Sequence, residues 1–357
     1  MFNHTHYIPI LRWKRGEWIA LRNLDVGVKA RMVPLVELVP KDFAPRRCGN
    51  PHSVDRVLFQ KVKEISENCG KAPFFVDLWL LNPNLRSTNS THPLEKLAMD
   101  ARAQQLSLIP VTGLKRSIDY QSAVASIART DDRGVCIRVH LDDIQRSSFQ
   151  SALGQLLSYL KLQPEEVDFL ADYQVIDNSS PSLGSLCKGL PSIGRWRTFT
   201  MASGAFPKDL TGFTLGQHLL LRLDWRVWRD QVTASATLPR RPAYGDYTIQ
   251  HPIFSEPPER ANFSASIRYT TDKHWVIMRG EGVFNDDSPG FAQWPANAQL
   301  LCGRSEFCGA DFSYGDEYIE QMSLQTEKTG SAETWLRAGI NHHLTFVVRQ
   351  IASLFGI

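Results

Sequence analysis

The chain has 357 residues, 43% of them hydrophobic and 22% charged, an ordinary mix for a folded globular protein. That is enough apolar material for a sizeable core without disulfide or metal staples. Its 40 basic and 37 acidic residues give a formal net charge of +3, too balanced to argue for nucleic acid by charge alone. The short basic pairs Arg46-Arg47 and Arg240-Arg241 read as solvated loop residues. Residues 1–6 lack the basic-then-apolar pattern of a secretory signal. Runs such as residues 219–221 fall far short of the roughly 18–20 apolar residues a membrane span needs, so the expectation is a cytoplasmic protein with no membrane partner. The six cysteines, at 48, 69, 136, 187, 302 and 308, are scattered with no CxxC pair. They read as reduced thiols, and Cys302 and Cys308 have no second pair of ligands to complete a zinc site.

Short apolar runs alternate with stretches of helical periodicity along the chain. Residues 7–11 predict a first strand, and 16–29 a helix with a Trp18, Ile19, Leu21 and Leu24 stripe. Residues 32–36 predict the second strand, ending at Glu37. Val54, Val57, Leu58, Val62 and Ile65 fall at helical spacing, and Gly70 supplies the left-handed stop. Residues 74–78 form the third strand, and Pro93 opens a helix running to about Gln104. The series continues with strand 106–111, helix 118–128, strand 135–139, helix 149–160, strand 167–173, a short helix around 183–187, and strand 197–201. A long amphipathic helix over 215–228 and an eighth strand over 244–249 complete it.

Strands alternating with helices of this length pair in parallel through right-handed crossovers. Eight such units favour closure into a (β/α)8, TIM-barrel-like core, an α/β fold, over an open doubly wound sheet built from the same units. Residues 261–269 and 275–283 alternate at period two around residues 271–273, which predicts a β-hairpin. The reading is one barrel domain over 1–357, interrupted at 255–335 by the hairpin and an irregular stretch over 284–335. A helix over 338–354 closes it.

The opening segment YIPILRWKRGE, residues 7–17, is followed by Ala20-Leu21 and by PLVELVP at 34–40. Near the other end stand Ile267-Arg-Tyr-Thr270, Arg279-Gly280, Asp311-Phe-Ser313 with Gly315-Asp316, Trp335 with Ala338-Gly339, and Asn341-His-His343. With these motifs the chain resembles the beta family protein, a bacterial and phage-associated group. The resemblance implies mobile-element or phage-defence cargo, with a protein partner encoded nearby as one candidate partner. It supplies no catalytic residues.

In a parallel barrel the residues at the carboxyl ends of the strands face the site. Glu37, Asp77, Arg138 and Asp172 come late in otherwise apolar strands, with Asp246 near the last strand and Lys14 just past the first. Glu37, Asp77, Arg138 and Asp172 are therefore the candidate catalytic residues. Glu37, Asp77 and Asp172 are hard oxygen ligands suited to Mg2+, and Arg138 suits a phosphate clamp. The alternative is an ion-pair network lining the barrel. His140 shares a face with Arg138, as general base or as a surface residue. Asn341 ahead of His342-His343 reads as the cap of a helix start, with at most one of the two histidines reaching a pocket. Arg268 and Arg279, near Tyr269 and Trp275 on the hairpin, could hold phosphates and stack bases, or face solvent. Lys14, and Ser203 after the seventh strand, are further phosphate-binding candidates. Two functions follow. One is a metal-assisted phosphoryl-transfer or hydrolytic enzyme acting on a nucleotide or nucleic acid. The other is a binding or sensor module that uses the hairpin and loop face.

Overall fold

The apolar runs pair side by side in parallel, as their alternation with helices predicts. The computed structural model describes residues 2–44, 53–180, 184, 189–234, 239–256, 262–324 and 329–357. Seven of the barrel strands are β1 (Tyr7–Leu11), β2 (Leu35–Glu37), β3 (Phe74–Asp77), β4 (Leu108–Thr112), β5 (Val135–His140), β6 (Val167–Val175) and β7 (Thr198–Gly204). After β8 (Gly216–Leu221), which lies outside the barrel, β9 (Ala243–Asp246) pairs with both β7 and β1 and closes it. The protein is a (β/α)8 barrel with eight parallel strands. The short helix expected around 183–187, apart from Gly184, and the Arg46-Arg47 pair lie outside the described residues.

Period-two alternation sorts each strand's side chains. Ile8, Ile10, Leu35, Phe75, Val111, Cys136 and Leu170 fill the barrel interior. Tyr7, Leu11, Val36, Phe74, Val76, Ile137 and Phe169 face outward and are covered by helices. Each such side chain fully removed from water contributes roughly 1.5–3 kcal/mol. The covering helices are α1 (Arg15–Arg22), α2 (Val26–Lys29), α3 (Val54–Cys69), α4 (Pro93–Ala103), α5 (Ile118–Asp131), α6 (Leu141–Ile144) and α7 (Phe149–Leu160). Local sequence sets their ends. Ser53 and Ser117 accept the Arg56 and Tyr120 amides as N-caps, Pro93 occupies the first turn of α4, and Gly70 ends α3 at φ +70°.

The structure departs from the sequence reading after β7. The helix expected over 215–228 is two elements: β8, then α8 (Leu223–Thr233). β8 pairs antiparallel with β11 (His274–Arg279), which pairs with β10 (Ile267–Thr270), so the predicted hairpin becomes a three-stranded sheet. The open edge of the hairpin takes the 216–221 backbone as its partner, and this long-range pairing overrides local helical periodicity. The 284–335 stretch is not irregular either. It holds α9 (Gln293–Cys302), α10 (Tyr314–Ser323) and the first turn of α11 (Ala332–Phe355). Ile267, Tyr269, Val276, Met278, Trp294, Ile319 and Trp335 form their own core against the sheet.

The closing helix α11 thus begins at Ala332, with Ser331 at its N-cap, and Asn341, His342 and His343 are buried in its middle rather than capping its start. It crosses β10 closely at Gly339, where an added Cβ would lie 2.6 Å from the Arg268 carbonyl oxygen and 2.8 Å from Ile249 Cδ1. Gly339→Ala is therefore expected to lose about 1–3 kcal/mol through overpacking. Gly27→Ala, where an added Cβ meets nothing within 4 Å, should leave stability unchanged or slightly higher. Urea titration of both variants checks this, and an unshifted midpoint for Gly339→Ala would remove the close crossing as a constraint.

Candidate functional site at the carboxyl-end face of the barrel

Two residues beyond the last apolar interior position, the strands switch from apolar to charged. Ile10 is followed in this register by Arg12, Leu35 by Glu37, Phe75 by Asp77, Cys136 by Arg138 and Leu170 by Asp172. The next layer up is therefore polar, and all five of these residues are buried.

Glu37, Asp77 and Asp172 converge, and they converge on Arg138. Its Nη1 donates to Glu37 Oε1 at 2.6 Å and to Asp77 Oδ2 at 3.0 Å, and its Nε donates to Asp172 Oδ2 at 2.8 Å. Its Nη2 reaches the Tyr247 hydroxyl at 2.8 Å, and that hydroxyl donates to Asp172 Oδ2 at 2.6 Å. Arg116 Nη2 holds both Asp77 oxygens at 2.8 Å, and Arg12 Nε lies 3.8 Å from Glu37 Oε2. Three guanidinium groups thus meet three carboxylates. Gly113, on the fourth strand's exit, makes room for this layer, since a Cβ there would lie 2.5 Å from the Arg138 carbonyl oxygen.

The electrostatics follow from the pairing. Burial works against the Arg138 charge, but Tyr247, Asp172, Glu37 and Asp77 outweigh it and push its pKa well up. Burial likewise opposes the Asp172 charge, yet Arg138, His140 and the Tyr247 hydroxyl hold its carboxyl below the usual range. Burial raises the Tyr247 phenol well above its ordinary value, reinforced by Asp172. The donor set does not fit a divalent ion. The space among Glu37, Asp77 and Asp172 is taken by the Arg138 guanidinium, which already supplies the positive charge there.

Asp246 does not join this cluster. It turns outward and accepts hydrogen bonds from the Tyr7 hydroxyl and, at 2.9 Å, the Thr248 amide; His343 Nε2 lies 3.0 Å from its second oxygen. His342 stacks on Tyr269 and lies 2.8 Å from Asp316. The two histidines tie α11 to the barrel and to α10, and Asn341 bridges the Gly315 amide to the Ala20 carbonyl.

Two cavities flank the charged layer. The first, about 450 Å³, lies above β3 and β4, where Leu78, Trp79, Leu81, Leu85, Lys115, Arg116 and Tyr120 line it. Nearby, His140, Asp142 and Asp143 bring one ligand atom each within 4.8 Å of one another, a group that could hold a metal ion. Lys115 Nζ sits on that pair of carboxylates, 3.2 Å from Asp143 Oδ1.

The second cavity, about 520 Å³, lies above β1, β7 and β9, against the inserted sheet. Arg12, Lys14, Lys208, Arg268 and Arg279 line it, together with His251, Phe263, Trp294 and Trp335, and Asp209 is its one carboxylate among the described residues. Arg268 donates to the Ile249 carbonyl at 2.9 Å and lies over Phe206, and burial brings its pKa down to about 10. Arg279 donates to the Leu210 carbonyl at 3.2 Å, the Ser266 hydroxyl at 3.4 Å and the Gly280 carbonyl, and burial lowers its pKa against the opposing charge of Asp209. Among the described residues neither arginine has a carboxylate within ion-pair distance.

Lys14, Arg268 and Arg279, far apart in sequence, therefore share one cavity. Ser203 does not line it; it is buried inside β7. Tyr269 and Trp275, expected beside the arginines as stacking surfaces, are fully buried. The exposed rings are Phe263, Phe284 and Phe291 instead. Arg12, Arg116 and Tyr247 had not been singled out from the sequence. Counting by twos from Ile8 and Ile10 would have found Arg12, and the same count from Ala243 would have found Tyr247. Arg116 lies in a loop, beyond any strand periodicity.

Fold and site together define a TIM-barrel protein with a plugged centre and two cavities at the rim of its carboxyl-end face. The chain belongs to the Beta protein family, whose sequence model matches residues 7–349. No match was found among curated proteins. Among solved structures, the YdjI aldolase from Escherichia coli K12 aligns at 7% identity and a TM-score of 0.40, covering 98% of this chain and 91% of the aldolase. SacUVDE aligns at 11% identity and a TM-score of 0.34, covering 70% of this chain and 94% of SacUVDE.

Removing Arg138 would leave three buried carboxylates short of their shared counter-charge. Arg138→Met is expected to cost about 3–5 kcal/mol of folding stability, as for other broken buried pairs. Chemical denaturation reads this directly, and a loss below 1 kcal/mol would show that the cluster does not hold the barrel top together.

Proposed function

We propose that the protein binds a phosphate-bearing ligand, a nucleotide or nucleic acid, in the 520 Å³ cavity above β1, β7 and β9. One observation carries this reading: Arg12, Lys14, Lys208, Arg268 and Arg279 face a single cavity whose one lining carboxylate among the described residues is Asp209. Although Glu37 neighbours Arg12 and Glu256 neighbours Lys14, Arg268 and Arg279 have no carboxylate within ion-pair distance among the described residues. These two are held by backbone carbonyls and, for Arg279, by the Ser266 hydroxyl, and an anionic ligand would supply the missing partner. Planar guanidinium forks suit phosphate oxygens. The loops after the seventh and eighth barrel strands are also where barrels of this kind frequently bind phosphate. Phe263, 47% exposed, gives a base a surface beside the cations. In the mobile-element or phage-defence setting implied by the family resemblance, this makes the barrel a recognition component.

A second reading, metal-assisted hydrolysis or phosphoryl transfer, is favoured by a different observation, the His140, Asp142 and Asp143 group. Lys115 now neutralises its two aspartates, so an ion there would have to displace that ammonium. Glu37, Asp77 and Asp172 take no part as ligands in this reading.

Isothermal titration with ATP and with pyrophosphate tests the first reading. Arg268→Gln and Arg279→Gln should each weaken binding roughly tenfold or more, as the loss of a charge-assisted hydrogen bond of about 1.5–3 kcal/mol implies, and affinity should fall with added salt. Unchanged affinity in both variants would end this reading. For the second, Mn2+ should raise the melting temperature of the wild type and raise it further in Lys115→Gln. It should have no effect in His140→Ala, since only selective binding to the folded state stabilises it. Equal shifts in all three proteins would place the ion elsewhere.

A further inference from the structure

Phe263, Phe284 and Phe291 are 47%, 61% and 45% exposed, an unusual concentration of large apolar rings in water. The three rings are neighbours, tilted against one another. Phe263 and Phe284 lie 6.2 Å apart, Phe284 and Phe291 6.1 Å, and Phe291 meets Trp294 at 5.5 Å. Both ends of this chain of rings, Phe263 and Trp294, line the basic cavity, whereas Phe284 and Phe291 lie beyond it.

We infer that the ligand is a single-stranded nucleic acid, its backbone phosphates held by the cavity cations and its neighbouring bases stacked on Phe263, Phe284 and Phe291. This rests on the phosphate-binding reading above and narrows it. A mononucleotide fits within the cavity and leaves Phe284 and Phe291 bare. A duplex buries its base faces against one another and presents only phosphates and groove edges, so the ring surface has nothing to stack on. A flexible strand alone offers anionic charge and free planar faces side by side, the pairing that single-strand sites use. The charge complementarity is local. Arg268 and Arg279 have no carboxylate in ion-pair range among the described residues, and the rings begin at the wall of the same cavity.

Fluorescence anisotropy with a labelled 20-nucleotide oligo(dT), the corresponding duplex, and unlabelled ATP as competitor tests the proposal on the full chain. The expected result is tighter binding of the strand than of the duplex, with competition by ATP. The Phe284→Ala/Phe291→Ala double variant should bind the strand at least tenfold more weakly, since stacking on one ring is worth about 1–3 kcal/mol per base, while its ATP affinity stays within twofold. Phe284→Tyr/Phe291→Tyr should restore strand binding, which separates stacking from a folding defect. If ATP binds but the double Ala variant holds the strand as the wild type does, or the duplex binds as tightly as the strand, this inference fails alone. If neither ATP nor the strand binds, the phosphate-binding reading fails with it.

Discussion

The charged layer at the carboxyl-end face of this barrel is arranged around one buried guanidinium. Arg138 reaches from β5 to carboxylates on β2, β3 and β6 and to the hydroxyl of Tyr247 just past β9, so a single side chain spans the mouth. Isolated charges at this depth would each cost several kcal/mol. They are tolerated because Arg12, Arg116 and Arg138 balance Glu37, Asp77 and Asp172 one for one. The consequence is geometric. The centre of the mouth, where a barrel enzyme usually places its chemistry, is filled with paired charge, and the two cavities of this face lie at its rim.

The two rim cavities are not independent of the plug. Arg116 holds Asp77 and also lines the cavity above β3 and β4. Arg12 lies beside Glu37 and also lines the cavity above β7 and β9. Each outer arginine thus has one side in the charged layer and the other toward a cavity, and the layer fixes where both present their remaining donors. On the far side, α11 fastens the inserted sheet to the barrel: His343 lies between Thr270 of β10 and Asp246 at the end of β9, and His342 lies against the Thr270 carbonyl. That anchorage sets Arg268 and Arg279 opposite Lys14, which the barrel strands alone could not do.

The barrel was legible because its signal is local: apolar runs, period-two alternation and Gly, Pro or Ser at helix ends. The convergence of Glu37, Asp77, Arg138 and Asp172 followed from the same counting, since all four stand two residues past an interior apolar position. What that counting could not give was their state. Whether converging charges meet around empty space or around one another depends on side-chain reach across the barrel, and Arg138 is long enough to fill the gap. The 215–228 segment misled for a related reason. Gly216 to Leu221 carries a pattern compatible with helix, and its strand partner lies over fifty residues away, at His274 to Arg279. The histidines at 342 and 343 look like a helix start only if α10 is unseen, because their partners are Asp316 on that helix and Asp246 at the end of β9.

The chemistry of the rim then turns on what a guanidinium is paired with. Where arginine meets carboxylate, as at Arg138, the two charges satisfy each other and the group is structural. Where arginine meets only neutral acceptors, backbone carbonyls at Arg268 and carbonyls with the Ser266 hydroxyl at Arg279, the hydrogen bonds orient the fork without neutralising it. Partial burial makes this uncompensated charge costlier than it would be on an open surface, which is why the Arg268 pKa falls to about 10. An anion entering that cavity would relieve the cost on both arginines at once. Within one face of one fold, the same residue type thus has two kinds of partner: Arg138 is held by carboxylates, whereas Arg268 and Arg279 are held by backbone carbonyls and, for Arg279, a serine hydroxyl.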